Sequence, residues 1–286
     1  MADLRKRLSA NVPGEFFVDS TCINCDTCRQ LAPGVFGEDQ GYSMVVSQPS
    51  SSSVRREALR ALLCCPTGSI GTEGSNDAKG VIADFPLRLD ENVFYAGFNS
   101  EKSYGGNAYF VQHHDGNWLV DSPKFLPQLV SAIESLGGLR YVFLTHRDDV
   151  ADASKYASHF GAQKIIHQRD ASACRDAEIV LEGEGDVNFG EEFLVIPTPG
   201  HTAGHCVLLH KNRFLFTGDH LAWDREHGAL EAWPDYAWYS WEEQKISLAK
   251  LLKFEFEWVL PGHGQRVHLS APEMRDAMAR LVAEMA

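Results

Sequence analysis

The chain has 286 residues, enough for two domains, and 44% of them are hydrophobic, as in an ordinary globular protein. Its formal net charge of −13 argues against nucleic acid as a partner. No apolar run approaches the ~18 residues of a membrane span, and the basic N-terminal stretch lacks the apolar core of a signal peptide. We therefore expect a cytoplasmic protein with no membrane segment.

Cysteines are concentrated in the first quarter of the chain. Cys22, Cys25 and Cys28 follow one another at intervals of three residues, and Cys65 stands after a predicted helix and directly before a proline. Three thiolates on one short loop, completed by a distant Cys-Pro, are typical of ferredoxin iron–sulfur ligation. Because all four ligand positions are filled, the sequence predicts a [4Fe–4S] cluster rather than a three-iron cluster.

Two alternatives to the cluster are a zinc site and a pair of disulfides. Four thiolates also suit tetrahedral zinc. Zinc motifs, however, usually contain two separate Cys-x-x-Cys pairs, whereas this chain has three evenly spaced cysteines and one distant cysteine. A disulfide framework is not expected without an export signal. Residues 13–71 resemble the single-cluster ferredoxin family, which implies Cys65 as the remote fourth ligand. Cys64 is then expected to be a small buried neighbour of that ligand.

A polar, glycine-rich stretch separates this region from the rest of the chain. It runs from Gly71 to Gly80 and has the character of a hinge. We place a ferredoxin-like domain over residues 11–73, a linker over 74–89 and a second domain over 90–286. Because the linker is short, we expect the two domains to lie close together.

The second domain begins with alternating apolar and polar residues. Residues 109–112 and 118–121 predict a β-hairpin, and a helix is predicted from Ser122 to about Leu136, where two glycines end it. Further helices are predicted over 242–252 and 272–284. Strands in both halves of the domain, with helices outside them, indicate an α+β sandwich.

Four predicted strands of this domain end in small residues followed by a histidine or an aspartate. The side chains concerned are those of His146, His201, Asp219 and His263. Proline and glycine around His201 exclude a helix, so this histidine lies on a loop at a strand end. Imidazole and carboxylate groups delivered from four strand ends suit a divalent metal site.

These motifs resemble the metallo-β-lactamase superfamily, and above all its glyoxalase II-like branch. The matching motifs are Thr145-His146, Pro199-Gly-His201-Thr-Ala-Gly-His205, Gly218-Asp219 and Pro261-Gly-His263. The resemblance covers roughly residues 90–265 and implies an αβ/βα sandwich. It also implies His146 and His201 as ligands of a first metal, His263 as a ligand of a second, and Asp219 as a bridge between them.

The first motif departs from the family pattern His-x-His-x-Asp-His. Asp148 stands where the second histidine is expected, and Asp152 comes two residues later than the expected aspartate. We predict Asp148 and Asp152 as substitute carboxylates that serve as metal ligands and catalytic groups. An acidic residue at the position of Asp148 is similar to the glutamate of the flavodiiron branch, which binds iron. Carboxylate-rich sites suit iron or manganese better than the softer ligand sets that zinc favours. We expect one or two divalent ions, iron or zinc, with iron preferred.

The roles of several other residues near these motifs stay open. His205 is expected to orient His201 or to pin its loop, and His220 is a candidate for a missing imidazole. Asp149 either binds a metal or hydrogen-bonds the backbone of its loop. The aromatic stretch over residues 233–241 either packs against the sheet or forms a pocket wall or lid.

The sequence is compatible with three functions. The first is a metal-dependent hydrolase of esters, thioesters or lactones, in which the metal activates a water. The second is a redox enzyme in which the cluster feeds electrons to a carboxylate-rich iron site. The third is a module that binds a ligand or a partner without turnover. The expected partners are a small-molecule substrate and, for the second function, an electron-transfer partner.

Overall fold

The structure is a computed structural model that describes residues 2–74 and 77–285 of the chain. Ser75 and Asn76, which belong to the predicted linker over 74–89, lie outside the described residues. The rest of that linker is mostly a 3₁₀ helical segment and the start of a strand. The placement of a domain boundary at the linker stays a prediction.

The chain divides into two compact units, Met1–Leu139 and Arg140–Ala286. No helix in the described part of the chain is long and apolar enough to cross a membrane. The elements of the first unit are β1 (Phe16–Val18), α1 (Thr27–Leu31), β2 (Phe36–Asp39), β3 (Tyr42–Val45), α2 (Ser52–Cys64), β4 (Ile70–Thr72), β5 (Leu87–Asp90), β6 (Val93–Tyr95), β7 (Tyr109–Val111), β8 (Trp118–Val120) and α3 (Pro127–Ser135).

The N-terminal part of the first unit has its own small apolar core. Strands β1 and β4 pair antiparallel, and so do β2 and β3. Helix α2 begins after Ser51, whose hydroxyl accepts a hydrogen bond from the backbone N–H of Val54, as an N-cap serine does. Its buried face carries Ala58 and Leu59, which pack in the same cluster as Phe16 of β1. This core holds the loop of α1 against the end of α2.

The remaining strands of the first unit form an antiparallel meander. Strands β5, β6, β7 and β8 pair in succession, and the β7–β8 hairpin lies where alternation predicted it. Helix α3 begins at Pro127 and not at Ser122 as predicted. Leu126 has extended backbone angles, because a residue that precedes proline is disfavoured in the helical region.

The second unit combines a parallel group of strands with a mostly antiparallel sheet. Its elements are β9 (Tyr141–Phe143), α4 (Ala153–Phe160), β10 (Gln163–His167), β11 (Ile179–Leu181), β12 (Val187–Phe189), β13 (Phe193–Pro197), β14 (Cys206–His210), β15 (Phe214–Gly218), β16 (Ala222–Asp224), β17 (Ala229–Glu231), α5 (Trp241–Leu251), β18 (Trp258–Pro261), β19 (Val267–His268) and α6 (Ala271–Glu284). Strands β9, β10 and β11 are parallel, with α4 connecting the first two.

The larger sheet of this unit has the strand order β12-β13-β14-β15-β18-β19. Helices α5 and α6 cover one of its faces, where Leu248 and Met278 pack with Val207, Leu215 and Val259 of the sheet. Both helices begin one residue before the predicted positions. Burial of this apolar face fixes the sheet against the helices and so fixes the loops at the strand ends.

Three of the loops that carry predicted metal ligands leave the same edge of this sheet. Strands β15 and β18 are parallel, and β13 runs in the same direction because it is two antiparallel steps from β15. Their carboxyl ends therefore lie side by side. His201, Asp219 and His263 follow these three ends, which brings residues from distant parts of the sequence to one place.

Candidate metal centre

A first group of ligand atoms is formed by His146, His201 and Asp219. Their ligand atoms all lie within 4.8 Å of one another. The Nε2 atom of His146 is 3.7 Å from Oδ2 of Asp219, and Nε2 of His201 is 3.6 Å from the same oxygen. Two imidazole nitrogens thus face one carboxylate oxygen at distances that leave room for an ion between them.

Asp148 adds a second carboxylate to this group. Its Oδ2 atom is 3.9 Å from Nε2 of His146 and 3.5 Å from Nε2 of His201. The substitute carboxylate predicted from the first motif therefore faces the same two nitrogens as Asp219. Its side chain is 47% exposed, so it lies at the open side of the group.

A second group joins Asp149, Asp219 and His263. The Nδ1 atom of His263 lies 2.8 Å from Oδ1 and 3.0 Å from Oδ2 of Asp219. A Cβ atom on Gly262 would lie 2.7 Å from Asp219 Oδ1 and 3.0 Å from Asp149 Oδ2, so the glycine permits this close approach. Asp219 belongs to both groups.

Asp152 is not brought to either group of described residues. Its carboxylate lies 3.1 Å from Nζ of Lys155, at the start of α4. A 3₁₀ turn over Arg147–Asp149 instead turns the neighbouring Asp149 into the buried interior. Of the two interpretations of Asp149, the geometry favours the metal ligand.

The protonation states in the first group suit cation binding. Burial lowers the pKa of His146 to about 4, against the opposing charge of Asp219, so this imidazole is neutral at pH 7. Burial alone would raise the pKa of the Asp219 carboxyl, but His263 and His146 hold it well below its usual range. The neighbouring His201 lowers the pKa of Asp148. Neutral imidazoles and ionised carboxylates are the forms that bind metals.

Two buried nitrogens in this group have no hydrogen-bond partner among the described residues. They are Nε2 of His146 and Nε2 of His201. The other nitrogen of each ring is engaged: Nδ1 of His201 lies 2.6 Å from the carbonyl oxygen of Tyr236, and Nδ1 of His146 lies 2.9 Å from the hydroxyl of Thr145. A carbonyl can only accept, so Nδ1 of His201 carries the proton and Nε2 carries the lone pair. These residues fit a divalent metal ion.

Asp170 is a part of this site that sequence reasoning missed. The carboxylate is buried and accepts hydrogen bonds from the backbone N–H of Arg147, the hydroxyl of Thr202 and the backbone N–H of Gly204. It therefore ties the loop after His146 to the loop after His201. Asp170 follows strand β10, so the pattern of polar residues at strand ends could have revealed it.

His205 and His220 form a buried layer beside the two groups without joining them. Their rings stack with centroids 5.0 Å apart, and Nδ1 of His205 lies 3.0 Å from the hydroxyl of Thr198. The His205 ring also lies 5.3 Å from that of His146. The geometry thus matches the role in pinning the loop that we expected of His205. His220 is not brought into either ligand group of the described residues.

Aromatic side chains border the first group. Tyr236, Trp238 and Tyr239 are each more than half exposed. The Trp238 ring lies 6.1 Å from the ring of His201, and the carbonyl of Tyr236 accepts the hydrogen bond that orients the same histidine. This part of the aromatic stretch is not buried against the sheet, which favours its interpretation as a pocket wall.

In the first unit, one cavity is lined by all four predicted cluster ligands, Cys22, Cys25, Cys28 and Cys65. Two backbone N–H groups point at these sulfurs, from Asn24 to Cys22 Sγ at 3.4 Å and from Ser69 to Cys65 Sγ at 3.2 Å. Burial raises the pKa of the Cys25 thiol to about 11, so a thiolate there needs a cation beside it. The four side chains fit an iron–sulfur cluster.

Cys64 is not among the described residues that line that cavity. Its sulfur is 3.4 Å from the backbone N–H of Phe98, and the side chain is fully buried. The residue is therefore a small buried neighbour of the ligand Cys65, as expected from the sequence.

Known families match both parts of the chain. Residues 18–72 match the 4Fe-4S single cluster domain of Ferredoxin I, and residues 103–263 match the metallo-beta-lactamase superfamily. The second match spans more than half of the chain, so the protein belongs to the metallo-β-lactamase superfamily. It combines that fold with a single-cluster ferredoxin domain, as the motifs predicted. A 4Fe-4S domain and a metal site of the metallo-β-lactamase type are thereby confirmed.

Among curated relatives, glyoxalase II-type enzymes are prominent. The chain is 33% identical over 118 residues to a hydroxyacylglutathione hydrolase of Acidiphilium cryptum, which covers 40% of this chain and 48% of the relative. It is 27% identical over 154 residues to the probable metallo-hydrolase YybB of Bacillus subtilis, covering 46% of this chain and 70% of the relative. The chain thus spans about half the length of the hydroxyacylglutathione hydrolase.

Solved structures confirm the predicted fold class. The metallo-β-lactamase FIM-1 of Pseudomonas aeruginosa, in its mono-zinc form, superposes with a TM-score of 0.51 at 17% identity, covering 69% of this chain and 93% of that one. DIM-1 metallo-β-lactamase gives a TM-score of 0.51 at 19% identity, covering 70% and 96%. At these identities the likeness shows the fold alone, which is the αβ/βα sandwich.

Proposed function

We propose that the protein is a metal-dependent hydrolase of esters, thioesters or lactones. The observation that carries this proposal is the pair of adjoining ligand groups that share Asp219, with unpartnered Nε2 atoms of His146 and His201 facing it. The similarity to a hydroxyacylglutathione hydrolase supports the same reaction class. The fold alone would not, since one fold serves many functions.

Each ligand group would hold one ion. His146, Asp148, His201 and Asp219 form the first set, and Asp149, Asp219 and His263 form the second. A divalent metal supplies a Lewis acid that polarises a carbonyl and makes water a better nucleophile at neutral pH. The ionised Asp148, at the open side of the first set, is placed to orient that water by accepting a hydrogen bond from it. Asp152, beside Lys155, has no such position.

The surroundings of the site indicate the kind of substrate. Exposed Tyr236, Trp238 and Tyr239 offer an apolar wall beside His201. The same segment carries the exposed acidic residues Asp235 and Glu242 and no basic residue between positions 233 and 244. An apolar wall with acidic flanks favours a neutral, apolar acyl group and disfavours a polyanionic one. We therefore propose a neutral ester or thioester with an apolar acyl chain as the substrate.

The test is a comparison of substrates on the full chain loaded with iron, zinc or manganese. We expect turnover of neutral aliphatic esters or thioesters, with slower turnover of hydroxyacylglutathione. The His201→Ala variant serves as the inactive control. His167→Ala is the matched folding control, because His167 is also buried but bonds the carbonyl of Gly183 at 2.9 Å. No turnover of any ester, thioester or lactone with any of the three metals would contradict the proposal.

A second candidate function rests on the donor set of the site. Asp148, Asp149 and Asp219 give it three carboxylates, which suits iron better than softer ligand sets do. An iron–sulfur domain in the same chain supplies one-electron chemistry that hydrolysis does not use. The candidate is therefore a redox enzyme in which the cluster passes electrons to this site, served by an external electron donor.

The two candidates differ in their dependence on metal identity. Zinc has no redox chemistry, so a redox function requires iron, whereas hydrolysis is expected with either ion. The decisive measurement is oxygen or dye reduction by the reduced full chain, compared between iron-loaded and zinc-loaded protein. Electron transfer only with iron supports the second candidate. Absence of both activities in metal-loaded protein leaves the ligand-binding or partner-binding module.

A further inference from the structure

Segment 98–107 lies outside the ferredoxin match at residues 18–72, yet its backbone packs against the cluster ligand Cys25. Gly105 in this segment has a left-handed φ of +88°. A Cβ atom there would lie 2.6 Å from Cβ and 2.9 Å from Sγ of Cys25. Only glycine allows the backbone to come this close to a cluster ligand.

A buried asparagine fixes this approach. The Nδ2 group of Asn99 donates to the carbonyl of Gly105 at 2.6 Å and to the hydroxyl of Thr27 at 3.1 Å. The same hydroxyl lies 3.4 Å from Cys25 Sγ. Asn99 is fully buried and also accepts a hydrogen bond from the hydroxyl of Tyr95. One network therefore joins segment 98–107 to the ligand loop beside the sulfur of Cys25.

Residues just after the ferredoxin match also contact the two neighbours of the distant ligand Cys65 in the chain. The Nζ group of Lys124 donates to the carbonyl of Pro66 at 2.6 Å, directly after Cys65. The backbone N–H of Phe98 points at the sulfur of Cys64 at 3.4 Å. The segment on either side of Cys65 is thus contacted by residues that follow the ferredoxin match.

We propose that Asn99 and Gly105 are positioning residues for the iron–sulfur cluster: they hold Cys25 in place and shield the cluster from solvent. The potential of such a cluster depends on its burial and on the hydrogen bonds around its sulfurs. Residues outside the ferredoxin sequence therefore set the potential and the lifetime of the cluster. This inference does not depend on the hydrolase proposal.

The first test is Gly105→Ala in the full-length, cluster-loaded protein. Its matched control is Gly41→Ala, because Gly41 also has a left-handed φ, of +78°, but a Cβ there meets no atom within 4 Å. Displacement of Cys25 should make cluster loss to an iron chelator roughly tenfold faster in Gly105→Ala, comparable to the loss of outer-shell support at a metal site. The reduction potential should rise, because water that reaches the cluster stabilises its more negative reduced form.

Gly41→Ala should match the wild type in both measurements. If Gly105→Ala also matches the wild type in cluster loss and in potential, or if Gly41→Ala changes them as much, the proposal is overturned. Both quantities are read by optical and paramagnetic resonance spectroscopy of the cluster and need no enzyme activity.

The second test separates positioning of the cluster from general stability. Asn99→Ala is compared with Asn117→Ala, since Asn117 is another buried asparagine of the first unit, whose Nδ2 donates to two carbonyls, those of Leu136 and Gly138. Both variants should lower the unfolding temperature. Only Asn99→Ala should shift the reduction potential and speed the loss of the cluster. Equal potentials in the two variants would show that Asn99 is merely structural.

Discussion

Asp219 is the residue on which the metal site depends most. It faces His146 and His201 on one side and contacts His263 on the other, and it is the only aspartate shared by the two ligand groups found among the described residues. The three histidines reach it from three different loops. Removal of the Asp219 carboxylate should therefore affect metal binding by both ligand groups, whereas removal of a single histidine should affect one group.

We predict that Asp219→Asn lowers the occupancy of both metal positions, whereas His263→Ala lowers that of the second position alone. The reason is that only Asp219 belongs to both groups. Metal content per chain, measured after dialysis of protein loaded with two equivalents of metal, checks this prediction. Equal metal loss in the two variants would mean that the two groups do not form separate positions.

The buried histidines beside the metal site should make the metal-free protein sensitive to acid. Burial lowers the pKa of His220 to about 3, from 6.5 in an unfolded chain. Between these two values the unfolded chain binds a proton that the folded chain does not, so stability is complete above pH 6.5 and is lost as pH falls toward 3. The loss is about 1.4 kcal/mol per pH unit for each such histidine.

We therefore predict that His220→Leu makes the stability of the metal-free protein less dependent on pH between 6.5 and 3. The measurement is the free energy of unfolding in urea at several pH values, for wild type and variant. His227→Leu is the control, because its imidazole is exposed and its pKa is raised by the hydrogen bond with Asp224. An unchanged slope in His220→Leu would mean that His220 titrates normally.

At the scale of elements, the site depends on loops that are tied to one another. Asp170, after β10, bonds the backbone of Arg147 in one loop and of Gly204 in another. We predict that Asp170→Ala weakens metal binding by about 10- to 100-fold, as the loss of an outer-shell partner usually does. The dissociation constant, measured by competition with a chelator, checks this.

The control for Asp170 is Asp176→Ala, which removes an exposed carboxylate near Lys164 at 3.3 Å. That variant should bind metal like the wild type. Asp170→Asn retains one acceptor oxygen and should be intermediate. Metal affinity that is unchanged in Asp170→Ala would show that the two loops hold their positions without this carboxylate.

The aromatic segment before α5 is the second element with a role at the site. We predict that Trp238→Ala raises KM for esters with long acyl chains by about tenfold and leaves kcat nearly unchanged, since burial of one aromatic ring contributes about 1.5 kcal/mol or more. Esters of acetate should be affected little. The measurement is kcat and KM across a series of acyl lengths.

Tyr42→Ala is the control for the aromatic segment, because Tyr42 is an exposed aromatic residue of β3 in the first unit. It should not change KM for any ester. If Trp238→Ala alters all acyl lengths equally, the ring acts on the orientation of His201 instead of on the substrate.

At the scale of the whole molecule, the central matter is what the iron–sulfur cluster does for the metal site. We predict that Cys65→Ser abolishes the brown colour of the cluster, whereas Cys64→Ser retains it, because only Cys65 lines the cluster cavity. Under the hydrolase proposal, ester hydrolysis survives in a folded Cys65→Ser protein. If turnover disappears together with the cluster while the histidine–aspartate centre keeps its metal, the result would favour the redox candidate.

The sequence by itself determined the class of the protein and most of its chemistry. The spacing of Cys22, Cys25 and Cys28 constrains three thiolates to one loop, so the cluster could be predicted from local geometry. Likewise, strand ends followed by His201 or Asp219 are local patterns of apolar runs and turn residues. Where the residues of a site lie close together in the chain, their chemistry can be predicted from the sequence alone.

Only the tertiary structure decided which side chains meet. Asp149 and Asp152 are equally acidic in the sequence, but a 3₁₀ turn buries Asp149 among the ligands and leaves Asp152 beside Lys155. Asp170 bonds residues more than twenty positions away, and Gly105 lies against Cys25. Such contacts arise from the packing of distant segments, whose positions depend on the whole core. A local pattern such as a polar residue at a strand end can point to Asp170, but it does not show which distant residues that carboxylate bonds.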